Sequence, residues 1–115
     1  MGKSQRTKGA AFERAVATML REAMPGADVK RGWQTRKGDD DPDVLAPGLS
    51  IECKHRIRPN VRAALLQGMA NANAGTWAVA VCRWSGARAP GATIVAMDAD
   101  DWLDLLREWW ELKNR

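Results

Sequence analysis

The seven residues Leu49-Ser50-Ile51-Glu52-Cys53-Lys54-His55 constrain this chain more than any other segment. Apolar and polar side chains alternate along them, which is the period of a strand with one face in the core. Ile51 and Cys53 share the core-facing side, and Glu52 and Lys54 share the other. A carboxylate and an ammonium thus project together from a half-buried element, where charged groups need a partner or a task. Pro47-Gly48 precedes the run as a tight turn. An upstream strand, Asp43 to Ala46, therefore pairs antiparallel with it and brings Asp43 close to Glu52.

The pattern around this hairpin predicts the order α-β-β-β-α-β-β-α. Phe12, Val16, Met19, Leu20 and Ala23 recur at helical spacing, which predicts a helix over 9–23 stopped by Pro25-Gly26. Residues 28–33 read as a short strand and 35–42 as a polar loop. After Pro59, Asn60 caps a helix over 61–74 that Gly75 ends. Residues 76–83 form a strongly apolar strand, 85–91 a loop, and 93–97 a fifth strand. Residues 98–113 form an amphipathic helix with acids in its first turn, as the helix dipole favours. Strands mixed with crossover helices imply an α/β fold, a mixed sheet with helices packed on it.

The 115 residues, 45% of them hydrophobic, suit a single domain over 9–115 behind a flexible basic arm at 1–8. No apolar run approaches the ~20 residues of a membrane span, and the polar start lacks a signal-peptide pattern. A soluble cytoplasmic protein with no membrane partner is the expectation. Cys53 and Cys82 lie in strand-like runs far from each other, with His55 the lone histidine. That spacing excludes a structural zinc site and makes both cysteines buried thiols.

Charge is segregated along the chain. Residues 1–37 carry nine Lys/Arg against three acids, 38–54 five acids against one lysine, and 55–97 five arginines and no acid. A compact acidic cluster is bracketed by basic segments, which suits contact with a polyanion such as DNA. Lys3, Arg6 and Lys8 form the arm. Arg36 and Lys37 enter the acidic cluster, and Arg56, Arg58 and Arg62 leave it. These eight residues are the candidate DNA-binding set.

Two carboxylates held together repel, and a divalent cation between them removes the conflict. Hard oxygen ligands without nitrogen or sulfur select Mg²⁺, with Mn²⁺ able to substitute. Asp43 and Glu52 are the candidate ligands, and the Cys53 backbone carbonyl is a further oxygen. Such a site suits phosphodiester hydrolysis, because a bound metal polarises phosphate and lowers a water pKa from 15.7 to ~7. Lys54 is placed to orient that water or to stabilise charge building on phosphate.

Pro42-Asp43 … Glu52-Cys53-Lys54 resembles the PD-(D/E)xK nuclease signature. The resemblance implies a restriction-endonuclease-like fold and makes Asp43, Glu52 and Lys54 catalytic. It adds Glu13, in the first helix, as a further metal-site residue, and Gln67, in the second, as a residue near the catalytic lysine. Gly9-Ala10-Ala11-Phe12-Glu13-Arg14 and Ile51-Glu52-Cys53-Lys54-His55 are similar to archaeal-type Holliday junction resolvases and their small phage-encoded relatives. Over roughly residues 9–81 this implies a homodimer with two active sites, acting on branched or duplex DNA with no small-molecule cofactor, in the host cytoplasm if phage-encoded. Asp39-Asp40-Asp41 before the motif departs from the pattern and offers either competing ligands or plain loop solvation.

Six tryptophans accompany no tyrosine. On the last helix Trp102, Leu105, Leu106, Trp109 and Leu112 form a stripe expected to pack in the core. The surplus, Trp110 and Leu103, suggests a homodimer interface. Trp33 and Trp84 fall at strand ends, positions suited to rim packing or base stacking. Three rival readings stand beside a resolvase. They are a phage-type endonuclease on duplex or flapped DNA, a non-catalytic DNA-binding module of the same fold, and an interaction protein that dimerises through the tryptophan-rich helix.

Overall fold

The computed structural model describes residues 3–32 and 41–115, with side chains from residue 7 onward. Trp33, Arg36, Lys37, Asp39 and Asp40 lie outside the described residues. The described elements are α1 (Lys3–Ala23), β1 (Lys30–Arg31), β2 (Val44–Ala46), β3 (Leu49–Arg56), α2 (Val61–Asn71), β4 (Trp77–Trp84), β5 (Thr93–Met97) and α3 (Ala99–Lys113). The predicted order holds, and the result is an α/β fold. No helix among the described residues is long and apolar enough to cross a membrane.

The five strands lie in sequence order across one mixed sheet. β1, β2 and β3 pair antiparallel, β3 and β4 parallel, and β4 and β5 antiparallel. The β2–β3 turn is made by Pro47 and Gly48, whose φ of 78° needs a residue without a Cβ. The parallel β3–β4 pair requires a crossover, and α2 supplies it.

α1 covers one face of the sheet and α2 the other. Phe12, Val16 and Ala17 of α1 pack on Val44, Ile51, Cys53, Val79 and Val81. Ala64 of α2 packs on Ala80 and Cys82. β3 is thereby covered on both sides, and Ser50, Ile51, Glu52 and Cys53 are all buried. The alternation of β3 implied one wet face. The structure gives a wholly buried centre, because the crossover helix covers the polar side.

Three elements differ in extent from the sequence reading by more than one residue. α1 begins at Lys3 rather than at residue 9, so Lys3, Arg6 and Lys8 of the expected arm lie on helical backbone. No proline interrupts residues 3–8, and the helix simply continues. Of the described residues 28–32, β1 keeps Lys30–Arg31, and its partner among the described residues, β2, is three residues long. α2 ends at Asn71, not at residue 74. The Asn73 N–H donates to Ser50 Oγ at 3.0 Å, and Ser50 Oγ lies 2.7 Å from Thr76 Oγ1, which ties the chain to β3 before another turn can form.

A difference in packing is larger. α3 has no buried residue and no substantial packing against any other element. The stripe expected in the core is in solvent. Helical periodicity states that a face should be covered but not by what, and only Asp98 separates β5 from α3.

Candidate functional site

The β2–β3 register pairs Ala46 with Leu49, Leu45 with Ser50, and Val44 with Ile51. One step further would set Asp43 against Glu52. There β2 stops, and a side chain takes over from the backbone. Asp43 Oδ2 accepts the Cys53 N–H at 2.8 Å. Within a strand, the N–H and C=O of one residue point the same way. The Cys53 carbonyl therefore opens on the edge where Asp43 sits, as a ligand role for it would require. The Asp43 backbone carbonyl in turn accepts the Gly32 N–H at 2.8 Å, which anchors this corner to β1.

Glu52 is 3% exposed. Its Cβ lies 3.1 Å from the point where Gly68 of α2 would carry a Cβ. Gly68 thus lets the helix close over the carboxylate. It escaped the sequence reading, although a glycine within Leu66-Gln67-Gly68-Met69 is a signal of close approach. Burial raises the Glu52 pKa, the Asp43 charge raises it further, and Lys54 only partly opposes them, giving about 7. Lys54 Nζ stands 3.6 Å from Glu52 Oε2. The predicted pairing of ammonium and carboxylate on one side of β3 is present.

Glu13 of α1 is half-buried and held by Arg31, whose guanidinium donates to its Oε1 at 2.8 Å. Burial raises its pKa, the Arg31 hydrogen bond opposes this, and Asp43 adds to it. Glu13 therefore belongs to the electrostatic neighbourhood of Asp43, but a cation already occupies it. The sequence reading did not foresee Arg31 as that partner. Gln67 is part-exposed on α2, next in sequence to Gly68. Asp41 is described and part-exposed.

The donor set fits a hard divalent cation. Asp43 and Glu52 are oxygen donors in charge conflict, and Mg²⁺ is commonly bound through one or two carboxylates with waters completing its shell. Among the described residues no three His, Cys, Asp or Glu side chains form a metal-holding group.

The basic residues converge in part. Lys8, His55, Arg56, Ile57 and Arg58 line a cleft of about 480 Å³ where the start of α1 meets the end of β3. Lys8 Nζ also bonds Ser85 Oγ. Arg56 donates to the His55 carbonyl at 3.0 Å, while Arg58 and Arg62 are exposed. Lys3 and Arg6 are on the first turns of α1. His55 lies on the α1 side of β3, against the Phe12 ring at 5.3 Å. Burial and the surrounding Lys8, Arg83 and Arg56 charges lower its pKa. It is a packing residue opposite the Glu52–Lys54 side. Trp84 is part-exposed at the end of β4 and packs against the cluster of Ala64, Ala80 and Cys82.

Both cysteines are free and buried. Burial and neighbouring carboxylates push the Cys53 thiol far up, so it is neither nucleophile nor thiolate ligand. Comparison with protein-family models and with curated proteins returns no match to this chain.

Proposed function

We propose that the protein is a Mg²⁺-dependent DNA endonuclease of the PD-(D/E)xK type with a restriction-endonuclease-like fold, and that it is a Holliday junction resolvase working as a homodimer. The observation that carries the catalytic part is the Asp43 carboxylate fixed on the Cys53 N–H at 2.8 Å, beside a buried Glu52 with Lys54 3.6 Å away. A carboxylate that takes a ladder hydrogen bond in place of the backbone is positioned by the sheet itself, which suits a reacting site. The choice of a four-way junction rests on the resemblance of the segments 9–14 and 51–55.

Asp43 and Glu52 would hold the cation, with the Cys53 carbonyl as a further oxygen. When bound, Mg²⁺ supplies Lewis-acid polarisation of the phosphate and a water acidic enough to ionise near neutrality. Lys54 orients the attacking water and donates to the phosphate oxygen on which charge builds. Glu52 must be ionised to act, and a cation beside it favours that form. Glu13 joins the site if Arg31 releases it. Gln67 stands beside the helix turn that covers Glu52. Arg56, Arg58 and Arg62 would contact phosphates and set the DNA on the site.

The test is cleavage of matched four-way, flap and linear DNA in Mg²⁺, with Asp43→Asn and Lys54→Ala as controls. The expected result is paired, symmetric nicking of the four-way substrate, lost in both variants. Equal cutting of all three substrates would replace the resolvase with a general endonuclease. Salt-sensitive binding with no cutting would leave a DNA-binding module, and no binding at all would remove nucleic acid as the partner.

A further inference from the structure

α3 presents Trp102, Leu105, Trp109 and Leu112 to solvent at 39–61% exposure. At 100° per residue these side chains form one stripe, and Asp101 and Glu108 run along its edge beside Leu105 and Leu112. The helix as a whole carries Asp100, Asp101, Asp104, Glu108 and Glu111 against Arg107 and Lys113, so it is acidic.

Elsewhere the molecule carries a surface of opposite character. Beside α1 a groove of about 340 Å³ is floored by Ala11, Ala15, Met19 and Thr93 and rimmed by Lys8 and Arg83. It lies where α1 stops short of β5, and Val95 on the neighbouring stretch of sheet is 64% exposed. One more helix laid beside α1 would complete that layer.

The chain's own α3 is poorly placed to do so. Connections that return a helix to its own sheet run ~2–6 residues, and here Asp98 alone links β5 to α3 with an extended backbone at φ −64° and ψ 143°. We infer that α3 seats in the groove beside α1 of a second copy of this chain, giving a two-fold dimer in which each copy lends its acidic, tryptophan-bearing helix to the other. The charges agree: Asp101 and Glu108 meet the Lys8 and Arg83 rim. The area agrees as well. The stripe residues Trp102, Leu105, Trp109 and Leu112 of one α3 offer on the order of 400 Å², taking ~250 Å² for a whole tryptophan. Two seated helices with their counter-surfaces cover roughly 1,600 Å², the size of a stable interface. Asp43, Glu52 and Lys54 lie outside the groove, so this assembly stands or falls apart from the catalytic reading.

Sedimentation equilibrium of the full chain tests it, with circular dichroism confirming that each variant is folded. A dimer is expected, weakened about thirtyfold by Trp109→Ala, as for a central aromatic anchor, and comparably by Met19→Glu in the groove. Reversing the helix edge with D101K and E108K should weaken association about tenfold, and adding K8E and R83E should restore it. A monomer at the highest soluble concentration would overturn the proposal. So would a dimer that Trp109→Ala disrupts but Met19→Glu and the charge pairs leave untouched, which would mean that α3 meets α3.

Discussion

β3 and α3 break the ordinary rule of burial in opposite directions. At the centre of β3 a glutamate is 3% exposed, beneath a glycine that lets a helix close on it. Along α3 three tryptophans are 49–61% exposed, with no layer against them. Each arrangement costs free energy in the isolated chain, one by desolvating a carboxylate and the other by leaving apolar area in water. In the proposed reading each would be relieved by something from outside, a cation for the first and a protein surface for the second. The sites of a protein are legible where its own interactions leave such a deficit.

The contrast is sharpest when the β3 site is damaged. Lys54→Ala should lower single-turnover DNA cleavage by about a thousandfold, the upper range for removing one donor to developing charge. Its Mg²⁺-induced rise in Tm should persist, because the carboxylates remain. Full cleavage by this variant would reduce Lys54 to a partner of Glu52. Next in size is packing. Gly68→Val places new atoms against Glu52 Cβ, 3.1 Å from the first carbon added. It should cost about 2 kcal/mol in urea denaturation by overpacking, and an unchanged midpoint would mean that α2 does not press on the glutamate.

The pH dependence follows from the sign of the Glu52 shift. Its folded pKa of about 7 exceeds the ordinary 4.5, so between these values the unfolded chain has lost a proton that the folded chain keeps. Stability without metal therefore falls as pH rises from about 4.5 to 7. Glu52→Gln should remove that slope and be the more stable protein at pH 8, measured by Tm in chelator. The Mg²⁺-induced rise in wild-type Tm should be larger at pH 8 than at pH 6, since the ion needs the ionised form. A slope that survives the substitution would assign it to other groups. The smallest effect belongs to α3. In dilute monomer Trp110→Ser should change unfolding free energy by no more than about 0.5 kcal/mol, whereas a loss of several kcal/mol would mean that the helix is packed after all.

How much of this was legible beforehand depends on how local the cause was. Pro47-Gly48 and the alternation from Leu49 onward are neighbours in sequence, so the hairpin, its register and the approach of Asp43 to Glu52 could be read directly. Asn60 at the start of α2 was legible as a cap for the same reason, whereas Asp98, read as the first residue of the last helix, is instead the cap of α3. They accept from the Ala63 N–H at 3.0 Å and the Asp100 N–H at 3.1 Å. What escaped was set by distant partners. Among the described residues β1 is shorter than expected, and β2, its partner there, is three residues long. Arg31 is eighteen residues from Glu13, and nothing in either segment announces the pair. The second cover on Glu52 comes from a helix whose apolar face is weak, composed of Ala64 and Gly68 instead of large side chains. α3 carries the stronger stripe and packs on nothing described, so amphipathicity alone ranked the two helices in the wrong order for burial.

The bond between Asp43 Oδ2 and the Cys53 N–H has a consequence for how the molecule is built in time. It closes a loop of ten residues around a two-residue turn, whereas the β3–β4 pair must wait for a crossover of twenty. Short loops close first. On loop length alone, Asp43 and Glu52 are expected to meet before α2 lies over them, while water still screens both charges. The hairpin behaves as a ruler cut before the wall is raised. One residue inserted at Pro47-Gly48 would shift every mark along it, moving Asp43 off Cys53 and turning the other face of β2 toward α1.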